Sequence, residues 1–180
     1  IDAGCELDHY AADITRTFPV NGRFTAPQKA IYELVLAAHQ AALGVIKPGA
    51  PFSAMQDAAV AVMTQGLLDL GLLEGTLENN IDEQSYRQYY MHNIGHWLGM
   101  DVHDVGIYKI DGESRPLEVG MVTTVEPGLY IDPEDETIDP QWRGIGVRIE
   151  DNILVTSDGY LNLTQALPVS VADIEALMAS

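Results

Sequence analysis

With 180 residues, the chain is long enough for one domain with a hydrophobic core and too short for two ordinary ones. Its 47% hydrophobic and 20% charged residues argue against disorder, and a net charge of −18 disfavours nucleic acid and anionic lipid as partners. No apolar run approaches the roughly 18 residues that cross a bilayer, and the lone Cys5 excludes an internal disulfide, so a cytoplasmic location is expected.

The opening Ile1-Asp2-Ala3-Gly4-Cys5 reads as the inside of a strand, so a truncated polypeptide lacking its upstream segment is expected. Residues 1–18 read as two short strands around a polar turn, Glu6-Leu7-Asp8-His9, with Asn21-Gly22 marking the turn out. Thr25 and Gln28 have capping-box spacing, with Pro27 in the first turn; Ile31, Leu34, Ala38, Ala41 and Val45 then follow at helical intervals until Pro48-Gly49. A second helix is predicted from a cap at Ser53, with Gln56 three residues on. Its stripe is Met55, Ala59, Val62, Gly66 and Leu70, and it ends at Gly71. Residues 77–88 read as a polar, partly helical connector. Strands are predicted over 121–126 and 146–155, a long acidic loop over 132–142, and a last helix over 171–178. This pattern is α+β with an antiparallel sheet.

Asp2 and Asp13 lie eleven apart. Pairing them directly across a hairpin would centre the turn between Leu7 and Asp8, among the polar turn residues. Two opposed carboxylates destabilise a sheet unless a cation sits between them; the pair alone is equally compatible with ordinary exposed strand acids. Glu126 and Glu150 each end or interrupt an apolar strand, where an unpaired acid is costly. Arg148 shares a strand face with Glu150, which suits either a buried charged site or a simple ladder pair.

His92, His96 and His103 fall within twelve residues and are seldom all structural at that density. His92 and His96 are not a helical zinc-protease pair, because Asn93 stands where that motif needs glutamate. Gly95, Gly99 and Gly106 point to a backbone bent close to a ligand. His9, in the turn, and His39, on a helix, read as structural or solvent-facing. Four carboxylates and one histidine form a hard ligand set favouring Mn²⁺, with Fe²⁺, Co²⁺ or Zn²⁺ as alternatives. Such a set suits two ions and a bridging hydroxide better than one ion.

Four stretches, IDAGCELDHYAADITRTFPVNG, HNIGHWLGMDVHDVG, LEVGMVTTVEPGLYI and RGIGVRIEDNILVT, span nearly all of the chain. Together they resemble the catalytic domain of the proline-directed metallopeptidases with the pita-bread fold, and most of all the bacterial Xaa-Pro aminopeptidase (aminopeptidase P) family. The resemblance implies one catalytic domain over 1–180, with a curved antiparallel sheet and helices on its outer face. It also implies an incomplete front: an upstream helix-and-strand segment carrying a further active-site histidine is absent, as is a separate N-terminal domain.

The resemblance further implies that Asp2, Asp13, His96, Glu126 and Glu150 hold two divalent metal ions, with Asp13 and Glu150 bridging. Glu126 would also shuttle a proton. His92 and His103 would contact substrate, and Arg148 and Tyr130 would support them, Arg148 by holding Asp2. The implied reaction is release of the residue preceding proline from a peptide's N-terminus by a homo-oligomeric full-length protein. Prolidase, which cuts only dipeptides, is the nearest rival. Trp97 and the run Thr15-Arg16-Thr17-Phe18-Pro19-Val20-Asn21-Gly22 favour the aminopeptidase. The run His103-Asp104-Val105-Gly106 fits methionine aminopeptidase poorly, and a non-catalytic peptide-binding module usually shows lost ligands.

Overall fold

The Thr25 hydroxyl accepts from the Gln28 amide at 3.4 Å, and the Gln28 side chain accepts from the Thr25 amide at 2.9 Å. This reciprocal cap satisfies two donors that the helix itself leaves free. It opens α1 (Ala26–Gly44) in the computed structural model, which describes residues 1–179. The second helix, α2 (Ser53–Asp69), begins where predicted but without the predicted cap. Phe52 precedes it in helical conformation, and the Ser53 amide donates instead to the Ser114 hydroxyl at 2.9 Å.

Both buried stripes are rotated by about a residue from the sequence reading. α1 buries Ile31, Tyr32, Val35, Ala38 and Ala42, while α2 buries Met55, Ala59, Val60, Met63 and Leu67. The rotation follows from tertiary packing, because α1 lies against strands on one side and α2 on another. Gly66 makes the helix contact close, since a Cβ there would stand 2.2 Å from the Leu34 Cδ1. Ile31, Met55, Met63 and Leu67 are fully buried, each worth roughly 1.5–3 kcal/mol.

The front of the chain forms β1 (Asp2–Ala3), β2 (Glu6–Leu7), β3 (Tyr10–Ala11) and β4 (Ile14–Thr15). Here the expected register is corrected. Asp2 faces Thr15, Leu7 faces Tyr10, and the turn residues are Asp8 and His9, both at positive φ (52° and 70°). Positive φ at both positions is the type I′ loop, whose twist matches that of the strands, and it sets the register two residues from direct Asp2–Asp13 opposition. Asp13 lies two residues from Thr15, so it is a diagonal neighbour of Asp2 on the same face.

The connector forms α3 (Leu77–Asp82) and a 3₁₀ turn (Ser85–Gln88). A hairpin absent from the sequence reading follows, β5 (Lys109–Ile110) and β6 (Glu113–Ser114) around Asp111-Gly112. Next come β7 (Val122–Val125), β8 (Gly128–Tyr130), β9 (Gly146–Arg148), β10 (Asp151–Thr156) and β11 (Gly159–Asn162). β10 lies between β7 and β11, β8 pairs β9, and every pairing is antiparallel. Single bridges, Thr15 to Glu150 and Trp97 to Thr123, fasten the front hairpin and the histidine loop to this body. α4 (Val171–Met178) closes the described chain as predicted, capped by Ser170.

Candidate metal centre

Asp2 and Asp13 come from the front hairpin, His92, His96 and His103 from the loop before β5, and Glu126 from the end of β7. Arg148 ends β9 and Glu150 follows it. All eight line one open cavity of about 460 Å³. Potential ligand atoms of Asp2, Asp13 and Glu150 lie within 4.8 Å of one another, as do those of His96, Glu126 and Glu150, and those of Asp13, His96 and His103. Tyr130, on β8, reaches the lining through its contacts with His92 and Arg148. The nine residues named from the sequence therefore converge, although they span nearly 150 positions. His9 is exposed in its turn and takes no part.

The hydrogen bonding of His96 fixes its tautomer. Nδ1 faces the Trp97 carbonyl at 3.0 Å and must carry the proton, leaving the Nε2 lone pair free. That nitrogen lies 3.4 Å from Asp13 Oδ2 and 3.3 Å from Glu126 Oε1. Three lone pairs so close repel unless a cation sits among them. Glu150 is 1% exposed; its Oε2 accepts from the Thr15 hydroxyl at 2.6 Å, while its Oε1 is buried without a hydrogen-bond partner among the described residues. A buried carboxylate oxygen with no donor is costly, and a metal ion is the partner this geometry lacks.

The electrostatics agree. Burial, reinforced by Glu126, Asp13 and Asp2, pushes the Glu150 carboxyl up to about 8, against the opposing hydrogen bond from Thr15. Burial likewise raises Asp13, as do the hydrogen bond and charge of Asp2. Without a cation the acids oppose one another's ionisation, and a metal reverses that balance. The donors thus fit hard divalent ions.

Around the acids runs a second set of contacts. Arg148 Nη2 meets Asp2 Oδ2 at 2.5 Å, Nε donates to Thr15 Oγ1 at 3.2 Å, and Nη1 to the Tyr130 hydroxyl at 3.4 Å. His92 Nδ1 donates to the Asn93 carbonyl, so its Nε2 accepts from Tyr130 at 2.8 Å. Asp2, Arg148, Tyr130 and His92 thereby form one chain of contacts. His103 packs edge-on to His96, with ring centroids 4.3 Å apart.

The sequence profile of metallopeptidase family M24 matches residues 1–157. The chain belongs to that family. Its relatives include the Xaa-Pro aminopeptidase of Haemophilus influenzae, 56% identical over 99% of this chain and 41% of that protein. The structure of the Pseudomonas aeruginosa aminopeptidase PepP matches with a TM-score of 0.98 at 58% identity, over 99% of this chain and 40% of that one. A zinc-substituted Escherichia coli aminopeptidase P in complex with product matches with 0.94 at 49%, over 99% and 40% respectively. The chain therefore spans about two-fifths of the length of these relatives, and its fold is the pita-bread fold of aminopeptidase P.

Four residues that serve this M24 site escaped the sequence reading. Thr15 donates to Glu150, Thr124 donates to Glu126 at 3.0 Å, Arg16 donates to the Glu150 carbonyl at 2.7 Å, and Asn152 bonds the Asp13 main chain. Thr15 and Thr124 stand two residues from Asp13 and Glu126 on the same strand face, a signal that period-two reading could have supplied. Two of the glycines are also required by close protein neighbours. A Cβ on Gly95 would stand 2.1 Å from the Thr124 carbonyl oxygen, and one on Gly106 would stand 2.2 Å from the Trp97 ring. At both positions the backbone closes on neighbouring protein, and Gly95 also lines the cavity. His39 is structural: it is buried, with Nε2 3.4 Å from Asp151 Oδ2.

Proposed function

We propose that this chain carries the catalytic metal centre of an Xaa-Pro aminopeptidase, which releases the N-terminal residue from peptides with proline in second position. The observation that carries the reading is the convergence of Asp2, Asp13, His96, Glu126 and Glu150 on one cavity, with the Glu150 Oε1 left unsatisfied. The names of the relatives point to the same activity.

In this reading Asp2, Asp13, His96, Glu126 and Glu150 would hold two divalent ions, with Asp13 and Glu150 each belonging to two of the donor clusters. Mn²⁺ suits the oxygen-rich set best. Bound there, the ions would acidify a water and polarise the scissile carbonyl. The protein's own groups do the rest. Glu126, oriented by Thr124, takes the proton of the attacking water and delivers it to the proline nitrogen. His92, oriented by Asn93 and Tyr130, and His103, beside His96, face the cavity where the substrate carbonyl would develop negative charge. Arg148 occupies one oxygen of Asp2 and leaves the other free to ligate.

Glu126→Ala in the full-length protein tests this. Turnover of an Xaa-Pro-Yaa tripeptide should vanish while the melting temperature holds. Near-normal cleavage by that variant would sink the mechanism. Running the Xaa-Pro dipeptide in parallel separates an aminopeptidase from a prolidase, and anomalous scattering at the metal edges reads ion number and element together.

A further inference from the structure

We propose that Asn152 is a positioning residue of the metal centre: its carboxamide grips the Asp13 main chain and so sets where the Asp13 carboxylate stands. The proposal rests on the reading of this centre as metal-binding. Asn152 is 3% exposed; its Oδ1 accepts from the Asp13 amide at 3.1 Å and its Nδ2 donates to the Asp13 carbonyl. The two residues are 139 positions apart.

The need for a side chain here follows from the register. Thr15 faces Glu150 in an antiparallel bridge, and two residues further along each chain Asp13 comes opposite Asn152. The main chain of Asn152 cannot complete that pairing. Its amide donates to Thr164 Oγ1 at 3.2 Å, and its carbonyl accepts from Leu163 at 2.8 Å. The primary amide replaces the missing main-chain pair, because it offers one donor and one acceptor side by side. Aspartate at this position would lose the donor and set an anion against the Asp13 carbonyl. The front hairpin is otherwise largely exposed, and this grip joins the Thr15–Glu150 bridge, Arg16 on the Glu150 carbonyl and Arg148 on Asp2 in holding one wall of the site against the other.

The test uses the full-length protein, stripped of metal and titrated with Mn²⁺ by calorimetry, with the metal-free melting temperature measured alongside. Asn152→Ala and Asn152→Asp should each bind Mn²⁺ about 10- to 100-fold more weakly, as is usual when a group orienting a metal ligand is lost. The aspartate variant is the sharper arm: added negative charge alone would strengthen cation binding, so weakening there reports lost geometry. Unchanged Mn²⁺ affinity in Asn152→Ala, with only the metal-free melting temperature lowered, overturns the proposal and leaves Asn152 a purely structural residue. Wild type that fails to bind Mn²⁺ overturns the metal reading itself, and this proposal with it. Should neither variant fold, a crystal structure of the Mn²⁺-loaded wild type decides. The amide still on the Asp13 main chain, with Asp13 oxygens on the ions, supports the proposal; Asn152 turned away refutes it.

Discussion

Glu150→Gln should stabilise the metal-free protein at alkaline pH while abolishing its capacity to hold metal. The Glu150 carboxyl is raised from 4.5 to about 8, chiefly by burial and then by Glu126, Asp13 and Asp2. A group whose folded-state pKa lies above its unfolded value contributes stability below the unfolded pKa and loses it as pH rises through the folded one. The window for loss therefore runs from about 4.5 to about 8. At about 1.4 kcal/mol per pH unit, that span is worth roughly 5 kcal/mol at most. Glutamine keeps the acceptor for the Thr15 hydroxyl and carries no charge at any pH. Urea unfolding of EDTA-treated wild type and variant should give similar stabilities at pH 5, with a variant advantage of roughly 2–5 kcal/mol at pH 8.5. Adding Mn²⁺ should stabilise wild type and leave the variant unmoved. A difference between the two proteins that does not change from pH 5 to 8.5 refutes the reasoning, because it would mean that Glu150 titrates normally in the folded chain.

Three further outcomes are expected. His39 is pushed down from 6.5 to about 4, by burial first and against the pull of Asp151, so the folded chain binds fewer protons than the unfolded between those values. Its contribution is complete above about 6.5 and is lost as pH falls towards 4, by roughly 3 kcal/mol; His39→Gln should flatten that part of the urea stability profile. Arg16→Ala strips Asp151 of a partner at 2.7 Å in a pair whose side chains are 13% and 4% exposed, and should cost roughly 3–5 kcal/mol by urea unfolding. Gly95→Ala drives a Cβ against the Thr124 main chain, which cannot swing aside. It should cost roughly 1–3 kcal/mol in thermal unfolding and displace His96 enough to weaken Mn²⁺ binding measured by calorimetry.

Much of this molecule is legible in one dimension. α1 declares itself through Thr25, Pro27 and Gln28, and α4 through the helical pattern of 171–178, because capping and helical period act within a turn or two of the chain. The acids that line the cavity are equally visible, since Glu126 and Glu150 sit where apolar strands should not carry an unpaired charge. His96, His92 and His103 stand out by density alone.

What needed three dimensions was the register, the buried faces and the partners of the groups around the acids. The left-handed backbone at Asp8 and His9 moved the hairpin register to Asp2–Thr15, and packing against both strands and α2 turned the buried face of α1 by about a residue. Arg16 and Asn152 reveal their roles only beside partners more than 130 positions away. Local preferences come from a residue's own sterics and those of its near neighbours, and they fade within a few residues. A contact spanning the whole chain is decided instead by how the helices and ladders pack. The sequence thus names the acids and histidines, and the fold decides where each one stands.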